Sequence, residues 1–139
     1  MTLKAERTKS PKYPKLLNTI GDHIRKKRLD LGLIQKEAAS RIGVSEATVY
    51  NWERNASAPQ VKQLPGVVRF LDYYPYPPAG SFSDKLMAVR RKLGLSRKAM
   101  ATRLGVDPTT LASWEKGKQR ASTKLQRTVA DFLRKPDLD

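Results

Sequence analysis

The reading of this chain turns on Gly43-Val44-Ser45-Glu46-Ala47-Thr48-Val49-Tyr50-Asn51-Trp52-Glu53-Arg54. Sixty-two positions later it reads Gly105-Val106-Asp107-Pro108-Thr109-Thr110-Leu111-Ala112-Ser113-Trp114-Glu115-Lys116. Outward from these two segments the same offset pairs Asp22 with Asp84, Arg28 with Arg90, and Leu31-Gly32-Leu33 with Leu93-Gly94-Leu95. Lys36, Ala39 and Arg41 recur as Lys98, Ala101 and Arg103, and Val67, Phe70 and Leu71 as Val129, Phe132 and Leu133. No gap interrupts the register. Identities held over such a span at one spacing mark two copies of a single unit.

Each copy reads as helical. Thr19 is placed to cap a helix whose inward face is Ile20, Ile24 and Leu31, and Gly32 ends it. A second short helix starts near Gln35 and buries Ala38, Ala39 and Ile42. Gly43 supplies a positive φ for a tight turn, Val44 plugs the space beneath it, and Ser45 caps a third helix with Val49 and Trp52 inward. Val61, Leu64, Val67, Val68 and Leu71 then close the core with one or two further helices, with a break expected at Pro65-Gly66. The second copy repeats this with Leu86, Val89 and Leu93, then Met100, Ala101 and Leu104, then Leu111 and Trp114. Its third helix opens with Asp107 as cap and Pro108 in the first helical position. Ser122 caps a last helix carrying Leu125, Val129, Phe132 and Leu133. No segment alternates as a strand does, so both copies are all-α.

The 139 residues hold 28 Lys and Arg against 13 Asp and Glu, a net charge of +15. That balance attracts polyanions, nucleic acid first among them; a ribosome-associated protein or one that skims a membrane surface is the alternative. The chain has no cysteine, which excludes disulfides, thiol catalysis and Cys-based zinc sites. Its single histidine, His23, lies among charged residues of the first helix, is expected to face solvent, and cannot build a His-rich metal site. No apolar run approaches the roughly 18 residues of a membrane span, and no signal-peptide pattern opens the chain. The expectation is a soluble cytoplasmic protein, without cofactor, metal or small-molecule ligand. No Gly-rich phosphate loop or nucleophile–base pattern is present, so no enzyme is expected.

The organisation reads as a basic arm over 1–18, one domain over 19–72, a linker over 73–81, a second domain over 82–135, and a tail over 136–139. The arm carries Lys4, Arg7, Lys9, Lys12 and Lys15 against Glu6. The linker, Tyr73-Tyr74-Pro75-Tyr76-Pro77-Pro78-Ala79-Gly80-Ser81, is uncharged and proline-rich; it reads as a semi-rigid spacer, or its tyrosines pack back on a domain. Net charge divides as +4 through Thr19, +3 over Ile20–Asp72 and +8 beyond. These parts account for the whole sequence, so no segment is expected to serve as a separate effector domain, protease or nuclease.

Two helices joined by a short glycine-containing turn form a helix-turn-helix, and at Gln35–Arg54 and Arg97–Lys116 the chain resembles the lambda-repressor-like (XRE family) domains. The likeness rests on a small residue in the second helix, glycine at the turn, and the Trp-Glu pair of the third helix. It implies two tandem all-α domains of four to five helices each. It also implies that the third helix enters the major groove with its first residues at the base edges.

In the first copy those residues are Ser45, Glu46, Ala47 and Thr48, followed by Asn51, with Tyr50 and Arg54 toward phosphates. Asn51 suits adenine, Ala47 a thymine methyl, and Glu46 either cytosine N4 or the positive end of the helix dipole. The second copy offers Thr109, Thr110 and Ser113 to bases, and Lys116, Lys118 and Arg120 to phosphates. The resemblance further implies a phosphate contact at Gln35, whose place Arg97 takes in the second copy, with Lys36 and Lys98 beside them as phosphate contacts or solvated lysines. It implies structural ion pairs Arg28–Glu53 and Arg90–Glu115. The first module is thereby expected to carry more sequence information and the second more affinity.

Nine extended residues reach about 28 Å, and successive major grooves on one face lie ~34 Å apart. One chain can then occupy two half-sites. The function expected is a bacterial or phage regulator that binds specific double-stranded DNA and represses by occlusion, nucleoid-associated when bound. The alternative is an antitoxin or mobile-element accessory protein in which one domain grips a protein; a homodimer is a further possible partnership.

Overall fold

A computed structural model describes residues 13–77 and 80–134, with side chains described as far as Phe132. Most of the basic arm (Lys4, Arg7, Lys9 and Lys12), Pro78 and Ala79, the Leu133 side chain and the tail lie outside the described residues. The described residues form eight α-helices and one 3-10 turn, and none is a strand. None of their helices is long and apolar enough to cross a membrane. The chain separates into two compact units. The first runs to Pro59 and takes in Gly66–Pro75; the second comprises Gln60–Pro65 and the chain from Tyr76 onward.

In the first unit α1 spans Ile20–Asp30. The Thr19 side chain accepts from the Asp22 N–H at 3.0 Å, while the Asp22 carboxylate accepts from the Thr19 N–H at 3.2 Å. This reciprocal cap satisfies donors that the helix start would otherwise leave unpaired. Helix α2 spans Gln35–Ile42 and buries Ala38, Ala39 and Ile42. Its alanines let α3, Glu46–Glu53, approach closely with Val49 and Trp52 buried. Gly43 joins the two at φ +95°, a conformation costly for any residue with a Cβ. The 3-10 turn Val61–Gln63 belongs to the second unit, and α4, Leu64–Leu71, contributes its residues from Gly66 onward to the first. Ile24, Ala38, Ala39, Ile42, Val49, Trp52, Val67, Phe70 and Leu71 form the core, edged by Ile20, Leu33 and Val44.

In the second unit α5 spans Phe82–Leu93, α6 Arg97–Leu104, α7 Pro108–Glu115 and α8 Thr123–Arg134. Its core comprises Leu86, Val89, Met100, Ala101, Leu111, Trp114, Ala121 and Val129. Leu93, Leu95, Leu104, Val106, Leu125 and Phe132 pack around it. Gly94 and Gly105 end α5 and α6 in the left-handed conformation.

Several expectations need correction. Leu31 is 45 % exposed, because α1 stops at Asp30 and leaves Leu31 as the C-cap, off the inward stripe. Helix α5 runs one residue further, and its counterpart Leu93 does pack on the core. Pro65-Gly66 makes no break: both lie in the first turn of α4, where a missing N–H removes no intrahelical bond. Val61 and Leu64 are not part of the first core, since Gln60–Pro65 group with the second unit. Asp107 takes the N-cap place before α7 with extended backbone, but its side chain makes no capping bond. His23 is only partly exposed: its Nδ1 is hydrogen-bonded with the Tyr73 hydroxyl, and the two rings meet edge-on with centroids 5.5 Å apart. Burial lowers the His23 pKa from its ordinary value, opposed by the nearby Asp22 carboxylate.

Candidate nucleic-acid interface

The exposed face of α3 begins at Ser45, which is occupied with the helix itself. Its Oγ accepts from the Thr48 N–H at 3.1 Å and lies 2.8 Å from the Thr48 hydroxyl. Glu46 and Ala47 are exposed beside this pair. One turn on, the Arg54 guanidinium lies 5.2 Å from the centre of the Tyr50 ring, and its Nε donates to Asn51 Oδ1 at 3.3 Å. Tyr50, Asn51 and Arg54 thus form one connected group. The Asn51 NH2 is left to donate to an acceptor such as adenine N7, with its oxygen held by Arg54.

Glu53, buried behind this face, holds the motif together. Arg28 donates to its two oxygens at 2.7 and 2.8 Å and to the Leu33 carbonyl at 2.9 Å. Gln35 Nε2 donates to the same carboxylate at 3.1 Å. One acid therefore ties α1, the turn after it, the start of α2 and the end of α3. Gln35 spends a donor inward, while Lys36 is exposed.

In the second unit Arg90 donates to Glu115 at 2.8 and 3.4 Å and to the Leu95 carbonyl at 3.2 Å. Arg97 takes Gln35's place and donates through Nε to Glu115 at 3.2 Å, with its side chain 49 % exposed. Anchoring through Nε leaves the terminal nitrogens of this half-exposed guanidinium for other acceptors, and a guanidinium suits a phosphate oxygen. Lys98 is exposed next to it.

On α7, Thr109 is exposed and Thr110 and Ser113 are half-buried. Lys116, Lys118 and Arg120 are exposed at and just beyond the helix end, around Gly117 at φ +72°. The corresponding segment of the first unit, Arg54 to Ala58, carries one charge. Asp107 is a surface group that sequence reasoning spent on capping. The signal that separates it from a cap, the missing bond to its own helix, exists only in three dimensions.

Two helices set across a left-handed glycine, with the second exposing its first turn, define each unit as a helix-turn-helix. The family described as helix-turn-helix matches residues 24–76 and again 86–137. The chain belongs to this family, of the lambda-repressor-like (XRE) type, and carries two tandem DNA-binding domains. A 108-residue stretch is 27 % identical to the type II methyltransferase M.SsoII of Shigella sonnei, covering 76 % of this chain. The match spans 28 % of that relative's length. No solved structure matches.

Proposed function

We propose that this chain reads two half-sites on double-stranded DNA and acts as a cytoplasmic transcriptional regulator, repressing by occlusion and catalysing nothing itself. The observation that carries this reading is the repeated exposed face on α3 and α7, each braced from behind by a buried glutamate. Buried, bidentate ion pairs orient the helices, so base-edge groups meet a groove without reorganising. The first unit's Asn51 group suits base discrimination, while Arg97, Lys116, Lys118 and Arg120 suit phosphates. Neutralising phosphates supplies affinity that falls with salt.

Selection from random duplex DNA with the intact chain at physiological salt tests the proposal. A two-part site of fixed spacing is the expected result; no enrichment would refute sequence-specific reading. A second reading has a specific observation in its favour. Ile34 is 60 % and Leu31 45 % exposed on the first unit, whereas the matching residues of the second are Ser96 and the packed Leu93. Such an apolar surface suits a protein partner, as in an antitoxin or mobile-element accessory factor.

A further inference from the structure

Helix starts elsewhere in this chain use their polar caps. Thr19, Ser45, Ser81 and Ser96 each accept from the N–H three residues on, and Ser122 accepts from Leu125 N–H. Asp107 stands in the same place before α7, with φ −71° and ψ 146°, yet makes no such bond. It is exposed, and while its carbonyl accepts from the Leu111 N–H at 3.1 Å, no hydrogen bond or ion pair engages its carboxylate among the described residues. Its carboxylate is a free acceptor at the leading edge of the helix that this family turns toward DNA.

A negative charge there is unfavourable for affinity. It lies in the more basic half of the chain and meets a polyanion, so phosphates repel it. Base edges restrict what can offset that repulsion. In the major groove guanine presents N7 and O6, and thymine O4, all acceptors that a carboxylate avoids. Adenine sets its N6 donor beside the N7 acceptor. Cytosine alone presents a donor, its N4 amino group, with no acceptor on the same edge. Pro108 at the first helical position restricts the Asp107 backbone to the extended conformation it adopts, which keeps this residue at the helix start.

We propose that Asp107 is a specificity-determining residue of the second unit, selecting cytosine at one position by accepting from its N4 amino group. The inference rests on the DNA-reading proposal above and sharpens it. The second unit thereby becomes selective in its own right, by excluding guanine and thymine as much as by attracting cytosine.

The test is the same duplex selection run with the intact chain, with Asp107→Ser and with Asn51→Ala. Serine is chosen because this chain already caps helices with serine at four such places. The half-site that persists in Asn51→Ala belongs to the second unit. The expected result is one cytosine position there, preferred over guanine by roughly ten-fold or more. Asp107→Ser should lose that preference alone, while binding non-specific duplex more tightly and melting no lower than the parent. If Asp107→Ser leaves every base preference intact and only raises affinity, the acid merely repels phosphate and the assignment is overturned. A parent site with only the first unit's half also overturns it, but leaves DNA reading standing. If the parent enriches nothing, the underlying reading fails and the assignment with it.

Discussion

At the wall where the first helix meets the end of the third, the two units reach the same arrangement with different chemistry. In the first, Gly21 lies so close to the Trp52 carbonyl that a Cβ would stand 1.9 Å from its oxygen. The turn beyond is held by Asn55 at φ +62°, which accepts from Thr19 Oγ1 at 2.7 Å and donates to Asp22 Oδ1 at 3.3 Å. In the second unit the residue matching Gly21 is Ser83, whose hydroxyl donates to the Trp114 carbonyl at 2.8 Å. The residue matching Asn55 is Gly117, at φ +72°. What both units require is a partner for the carbonyl side of that helix end and a left-handed residue after it. A bare backbone with a side-chain network supplies these once; a hydroxyl with a glycine supplies them again. Substitutions at matched positions should therefore have unmatched effects.

The largest difference is expected at the buried acids. Glu53→Ala should destabilise the first unit by about 3–5 kcal/mol, because Arg28 is left buried without a counter-ion. Glu115→Ala should cost the second unit more, since it strands Arg90 and also releases the half-exposed Arg97. Denaturant-dependent amide exchange on the full chain, read unit by unit, checks both; equal losses would mean that Arg97 adds no more to its cluster than Gln35, which donates to Glu53, adds to the first. Next, Gly21→Ala should lose about 1–3 kcal/mol through overpacking against backbone, whereas Ser83→Ala gives up one hydrogen bond, about 1 kcal/mol. A stabilised Gly21→Ala would show that helix propensity outweighs the close approach and that this wall yields. The smallest effect concerns the start of α2, where Ile34 makes no side-chain cap while Ser96 caps α6. Ile34→Ser should raise the first unit's stability by up to about 1 kcal/mol. An unchanged melting curve would show that the Glu37 carboxylate, which accepts from the Ile34 N–H at 3.0 Å, already secures that end.

The helical plan was legible because apolar spacing agreed at most elements with a cap residue at the start or a glycine at the end. Ile24, Val49 and Trp52 in one unit, and Leu86, Leu111 and Trp114 in the other, are buried because the 3.6-residue period places them on one stripe. The family match likewise rests on local pattern. Less was legible where an outcome depends on a distant residue. Pro65-Gly66 looks like a breaker in isolation, yet the position of the helix start decides whether proline breaks anything. Leu31 and Leu93 are identical residues in identical register, but one is exposed and the other packed, because α1 and α5 end one residue apart.

By itself the sequence determined the all-helical class, the two-fold repeat, the turns at Gly43 and Gly105, and which helices carry the candidate reading faces. These follow from period, capping chemistry and backbone freedom, which are properties of neighbours along the chain. Tertiary structure alone decided that Ser45 and Thr48 bond each other, that Arg54 holds Asn51, that Arg97 joins Arg90 on Glu115, and that Asp107 stands free. Each of these depends on side-chain direction and on what else lies within about 3 Å, the range over which a hydrogen bond either forms or leaves a group available.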